Sequence, residues 1–165
     1  MQVTIIEFEA VKVAALQHRG TPELLNDSVA RFIAWRKASQ LSPVKKCRTY
    51  GVAYDDPHTT EPDLFRFDIC GEIAKDIPPN PENVITKEIP AGRCAVISHM
   101  GSRGPLMDQK IYSLYREWLP SSGEELRDFP LFFRYINFFP EVAEIDLVTE
   151  IYLPLKSLYA ATKPA

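Results

Sequence analysis

Near the end of the chain one acid interrupts an otherwise apolar run, Leu147-Val148-Thr149-Glu150-Ile151-Tyr152-Leu153. In an extended strand successive side chains alternate, so Leu147, Thr149, Ile151 and Leu153 share one face and Val148, Glu150 and Tyr152 the other. A carboxylate held mid-strand between a valine and a tyrosine is costly unless it is paired, protonated or used. Two readings of Glu150 stay open on this pattern: an edge-strand acid pointing into water, or a charge kept for a ligand. The second has a definite chemistry, because ring faces attract positive charge and a carboxylate among them neutralises a flat organic cation. Tyr50, Tyr115, Trp118, Tyr135 and Tyr152 are the rings available for such a receptor, although aromatics at helical or strand spacing mostly pack cores. A third use is catalytic: with its pKa raised by apolar burial, Glu150 would act as a general base beside a tyrosine.

Other chemistry is sparse. Asp68 shares a strand face with Arg66 and Cys70, which points to an ordinary salt bridge. His18, His58 and His99 lack a spacing that would gather a metal, and Cys47, Cys70 and Cys94 form no CxxC pair. Glycine-rich phosphate loops and a GxSxG elbow are missing. The expectation is a protein with no metal and no cofactor, its thiols reduced in the cytoplasm.

The elements that would position these residues occur twice. Val3 to Gly20 aligns without gaps on Val84 to Gly101, an offset of 81, with identities at Val3/Val84, Glu7/Glu88, Ala10/Ala91, Ala14/Ala95, His18/His99 and Gly20/Gly101. A helix follows each copy. The first opens at Thr21-Pro22, a capping residue and a proline at the first helical position, and carries Leu25, Val29, Phe32 and Ile33 at one-face spacing. The second starts near Gly104-Pro105 with Met107, Ile111, Leu114 and Tyr115, the same set shifted by 82. KCRTYGVAYDDP and DLFRFDICGEI then read as paired strands, as do PLFFRYINFFP and DLVTEIYLPL in the second half. Asp68 and Glu150 are repeat mates at this offset, and His18 and His99 fall at the bend before each helix, a structural place.

The pattern predicts an α+β fold of duplicated β-β-α-β-β units with pseudo-two-fold symmetry, mainly antiparallel hairpin-connected sheet and a central cleft between halves. A single domain over 1–165 contains half-units at about 1–75 and 83–158, with the proline-bearing stretch 76–82 as linker. The net charge of −3 and pI near 5.6 argue against duplex DNA as a direct partner. No apolar run approaches a membrane span, and Glu7 and Glu9 break the core a secretory signal would need.

TYGVAYDDP, RFDICGEI, Tyr115-Arg116-Glu117-Trp118-Leu119-Pro120-Ser121-Ser122-Gly123 and the closing Thr149-Glu150-Ile151-Tyr152-Leu153-Pro154, in this order, resemble the GyrI-like family. That family includes the DNA gyrase inhibitor SbmC and the effector-binding domains of AraC-type and MerR-type regulators. The resemblance implies a receptor for hydrophobic, often cationic small molecules, in the manner of multidrug-binding domains. Its central glutamate matches Glu150, and the residue two further on, Tyr152, would line the pocket. Where many members carry Glu in a stretch like F-E-x-Y-x-N, this chain has Phe133. The expected function is a stand-alone small-molecule binder without its own DNA-reading domain. The alternatives are a hydrolase of electrophilic small molecules using Glu150 and an inhibitor of DNA gyrase; gyrase or a transcription regulator is the partner these readings imply.

Overall fold

In a computed structural model of the protein, residues 1–158 are described. The strands form where alternation places them: β1 (Thr4–Phe8), β2 (Val11–Arg19), β3 (Thr49–Ala53), β4 (Arg66–Glu72), β5 (Ile85–Ile89), β6 (Gly92–Met100), β7 (Leu131–Tyr135) and β8 (Val148–Pro154). Helix α1 (Leu25–Ser39) follows a 3-10 turn at Pro22–Leu24, whose cap Thr21 accepts the Glu23 N–H through its hydroxyl. Helix α2 (Pro105–Ser113) runs through a π-helical turn (Leu114–Trp118) into the short α3 (Leu119–Ser122). Pro120 accounts for the widened turn: it has no N–H to give to Arg116, and its ring would crowd that carbonyl in a regular helix.

The repeat survives in detail. β2 and β6 are offset by 81 residues, and β3/β7 and β4/β8 by 82. Gly20 and Gly101 both take positive φ, 125° and 117°, a conformation that favours glycine. Their N–H groups donate to repeat-mate carbonyls, Phe65 and Leu147, at 3.0 and 2.8 Å.

The sheet is α+β and antiparallel as the pattern predicts, but the first strand of each half does not form a hairpin with the second. β1 pairs with β6, Phe8 opposite Gly92, and β2 pairs with β5, Val11 opposite Ile89. The cause lies in the two-residue connections. A tight hairpin needs positive φ in its loop, supplied by Gly, Asn or Asp. Glu9-Ala10 and Pro90-Ala91 offer none, and Pro90 is locked to negative φ. The chain therefore divides into two compact units, residues 10–90 and residues 1–9 with 91 onward. The first has strand order β3-β4-β2-β5 with α1, the second β1-β6-β8-β7 with α2. The stretch 76–82 holds neither helix nor strand, and Asn80 pins its end by exchanging hydrogen bonds with the Val84 backbone.

In the first unit Ala14, Leu16 and Ile69 of the sheet pack with Phe32 and Trp35 of α1. The repeat mates of four of these, Ala95, Ile97, Ile151 and Leu114, are equally buried in the second, while that of Trp35 is the exposed Glu117. Of the expected α1 face, Phe32 is buried and Leu25 and Val29 pack against the core, but Ile33 is exposed, and Ser28, Trp35 and Arg36 are buried in addition. Arg36 tolerates burial because it donates to Ser42 O, Thr49 Oγ1 and Cys47 O. No helix among the described residues is long and apolar enough to cross a membrane.

Candidate functional site

Opposite the helix-packed face, each unit places its repeat-mate carboxylate on an inner strand, β4 in one and β8 in the other. The two environments differ. Asp68 on β4 is 1% exposed. One oxygen accepts from Arg19 Nη1 at 2.9 Å, the other from Lys87 Nζ at 2.6 Å and Tyr54 Oη at 2.9 Å. The partners are Arg19 on the adjacent β2 and Lys87 on β5, one strand further, rather than Arg66 of its own strand, which pairs with Asp55 at 3.0 Å. Burial acts to lower the Lys87 pKa, but hydrogen bonds to Asp68 and Tyr54 and their charge outweigh it and hold the ammonium above its ordinary value. Burial is also the main cause that pushes the Tyr54 phenol up. Asp68 is a spent charge.

Glu150 on β8 lies in register with Ser98 of β6 and Arg134 of β7. Its side chain is about one-third exposed, at 31%. Tyr152 Oη donates to its Oε1 at 2.8 Å, so the two site residues named from the sequence meet on one face. The nearest cation, Arg134 Nη1, stays 3.8 Å from the same oxygen, beyond hydrogen-bond range. Tyr152 is itself fixed by packing: its ring stacks on Phe132 at 4.8 Å and 4°, and Phe8 from β1 meets both edge-on at 5.0 and 5.5 Å. Phe129 closes on Phe132 at 6.1 Å. An aromatic cluster assembled from three strands and the approach to β7 thus sets the phenol that orients the carboxylate.

The repeat register explains why only one acid is neutralised. Lys87, Arg19 and Arg66, the bases around Asp68, fall at the positions of Ile6, Met100 and Val148 around Glu150, and Tyr54 at that of Ile136. Ile6, Val96 and Val148 are half-buried on the Glu150 face, so apolar surface replaces the countercharges.

The remaining aromatic candidates separate. Tyr135 pairs with Thr149, on the face opposite Glu150, where the Arg103 guanidinium lies 4.6 Å over its ring and donates to Thr149 Oγ1. Tyr135 is thereby part of a clamp on the helix-packed face. Tyr115 and Trp118 sit half-buried in the π-helical turn, and burial raises the Tyr115 phenol. Among the described residues neither makes a ring contact or hydrogen bond to Glu150. Tyr50 belongs to the other unit, fully buried opposite Cys70, as Phe132 is opposite Tyr152. Sequence reasoning missed Phe8, Phe132 and Arg134; the signal for Phe132 and Arg134 was the repeat register, which sets them against Tyr50 and Val52.

The histidines hold the bends. His18 Nε2 donates to Thr21 O, and Nδ1 meets Ser28 Oγ at 2.7 Å. His99 Nε2 makes the matching bond to Ser102 O, but its buried Nδ1 has no partner, since Lys110 replaces Ser28. No cluster of three metal-ligating side chains occurs among the described residues.

A duplicated antiparallel α+β unit of this kind is the architecture of a small-molecule-binding module. The sequence matches the GyrI-like small molecule binding domain over residues 1–156, and the chain belongs to that family. A probable transcriptional regulator of Escherichia coli K12, YgiV, is 47% identical over 155 residues, 94% of this chain and 96% of that protein. Among solved structures, the C-terminal domain of EcmrR matches with a TM-score of 0.71 and 18% identity, covering 95% of this chain and 98% of that one. SAV2435, solved bound to tetraphenylphosphonium, matches with a TM-score of 0.59 and 12% identity, covering 97% of each.

Proposed function

We propose that the protein binds a hydrophobic small molecule carrying positive charge, with Glu150 as the counter-charge and Tyr152 as the group that holds it. The observation that carries this reading is the contrast between repeat mates. Asp68 has two cations at hydrogen-bond distance, whereas Glu150 has none, and apolar side chains stand where those cations would be. A ligand that covers Glu150 takes this one-third exposed carboxylate out of water, and positive charge on that ligand offsets the cost. The tetraphenylphosphonium bound by SAV2435 is a ligand of this chemistry. Ile6, Val96 and Val148 supply apolar surface for the body of such a ligand.

The test is titration calorimetry with a naphthylmethyl-trimethylammonium ion and the neutral isostere in which carbon replaces nitrogen. The charge of Glu150 acting over about 5 Å in a partly screened site amounts to roughly 1–3 kcal/mol. Glu150→Gln therefore weakens the cation about tenfold to a hundredfold and leaves the neutral compound unchanged. Equal losses for both compounds, or none for either, contradict the reading.

A further inference from the structure

Arg134 stands directly across from Glu150 on the same sheet face, one strand away. Its side chain is 35% exposed, and its one polar contact among the described residues is the 3.8 Å approach to Glu150 Oε1. The guanidinium thus keeps its forked donors unused. Were Arg134 a built-in neutraliser of Glu150, it would close to hydrogen-bond length, as Arg19 and Lys87 do on Asp68 at 2.9 and 2.6 Å. It stops about an ångström short. Nor does the fold require an arginine here, since the repeat mate at the same register is Val52. Glu150 mirrors this state: both its recorded contacts fall on Oε1, leaving Oε2 without a partner among the described residues.

From this geometry we infer that the ligand is amphoteric: a ring compound whose positive group meets Glu150 and whose carboxylate, or comparable planar anion, meets the Arg134 fork. The inference rests on the cation reading of Glu150 and adds a second polar subsite with opposite sign. A planar guanidinium matches a carboxylate with two parallel hydrogen bonds, geometry that a lysine or a lone amide does not reproduce. The charges of site and ligand cancel in pairs, so neither Glu150 nor Arg134 is left desolvated and unpaired when the ligand covers them.

Rhodamine B and its ethyl ester carry the same xanthylium cation and differ only in a free or esterified carboxylate. Fluorescence polarisation of both dyes is read on the wild type, Arg134→Gln, Arg134→Lys and Glu150→Gln. The wild type binds the free acid roughly tenfold or more tightly than the ester, the size of a charge-assisted contact. Arg134→Gln removes that preference while the ester keeps or improves its affinity, and Arg134→Lys restores only part of it. A wild type that favours the ester, or an Arg134→Gln protein that tightens on both dyes equally, overturns the inference and makes Arg134 an internal counter-ion. If Glu150→Gln leaves the ester unaffected, the cation reading fails first, and this inference with it. If neither dye binds the wild type, both fail.

Discussion

Asp68 and Glu150 occupy the same place in two copies of one structural unit, yet Asp68 has two cations at hydrogen-bond distance and Glu150 has none. The backbone around them is shared: β4 and β8 carry the same offset, and Cys70 faces Tyr50 as Tyr152 faces Phe132. What changed is the ring of neighbours. Lys87, Arg19, Arg66 and Tyr54 around Asp68 correspond to Ile6, Met100, Val148 and Ile136 around Glu150, while Val52 corresponds to Arg134. The first acid holds strands together; the second accepts one hydrogen bond from a tyrosine, with apolar side chains on its face and Arg134 3.8 Å away.

The largest expected consequence is in stability. Removing one partner of a buried ion pair strands the rest and costs about 3–5 kcal/mol. Lys87 and Arg19 still reach water, so Asp68→Ala is expected near the lower end, about 3 kcal/mol. Glu150→Ala is expected to change stability by less than about 1 kcal/mol, as for an exposed pair. Urea denaturation of both variants checks the contrast, and equal losses would break it.

A second expectation concerns alkaline pH. The Lys87 pKa is raised in the folded state, so its contribution is fully present below the unfolded value of about 10.4 and is lost as pH rises through the folded one. The wild type should therefore lose stability above about pH 10 in a step that is missing in Asp68→Asn. A step of the same size in both proteins would show that Asp68 does not hold Lys87.

The smallest expected effect lies at the bends. His18 spends both ring nitrogens, while His99 leaves Nδ1 unpartnered. Ser28→Ala should cost about 1 kcal/mol by orphaning His18 Nδ1. Lys110→Ser, which supplies the missing hydroxyl, should gain a similar or smaller amount. Thermal melting resolves the two signs, and a loss in both would separate the bends from the repeat logic.

Much of this was legible in the residues. The two offsets placed all eight strands and both helix starts, and the alternation in Thr149-Glu150-Ile151-Tyr152 put Glu150 and Tyr152 on one face. Partners that depend on strand order were not legible. Arg66 is the base a reader of β4 sees beside Asp68, but Arg19 and Lys87 arrive from β2 and β5. Tyr135 looked equivalent to any other tyrosine until its register against Thr149 fixed its face. The exchange of β1 and β5 was hidden in two connections whose lack of a positive-φ residue is a negative signal. The replacement of Lys87, Arg19 and Arg66 by apolar mates was readable at the same offset that revealed the repeat, and it required only that the duplicated positions be compared for charge.

If Glu150 is open to a ligand because an apolar residue stands where the other unit has Lys87, a lysine placed there should close it. Ile6 holds the register that Lys87 holds in the other unit, opposite Cys94 and Val13 respectively. In Ile6→Lys a lysine should reach Glu150 as Lys87 reaches Asp68. Titration of the naphthylmethyl-trimethylammonium ion into wild type, Ile6→Lys, Glu150→Gln and the double variant forms a double-mutant cycle. The account predicts that either single change removes the preference for the cation over its neutral isostere, and that the double variant loses no more than Glu150→Gln alone. A preference that survives in Ile6→Lys, or losses that add in full, would contradict it.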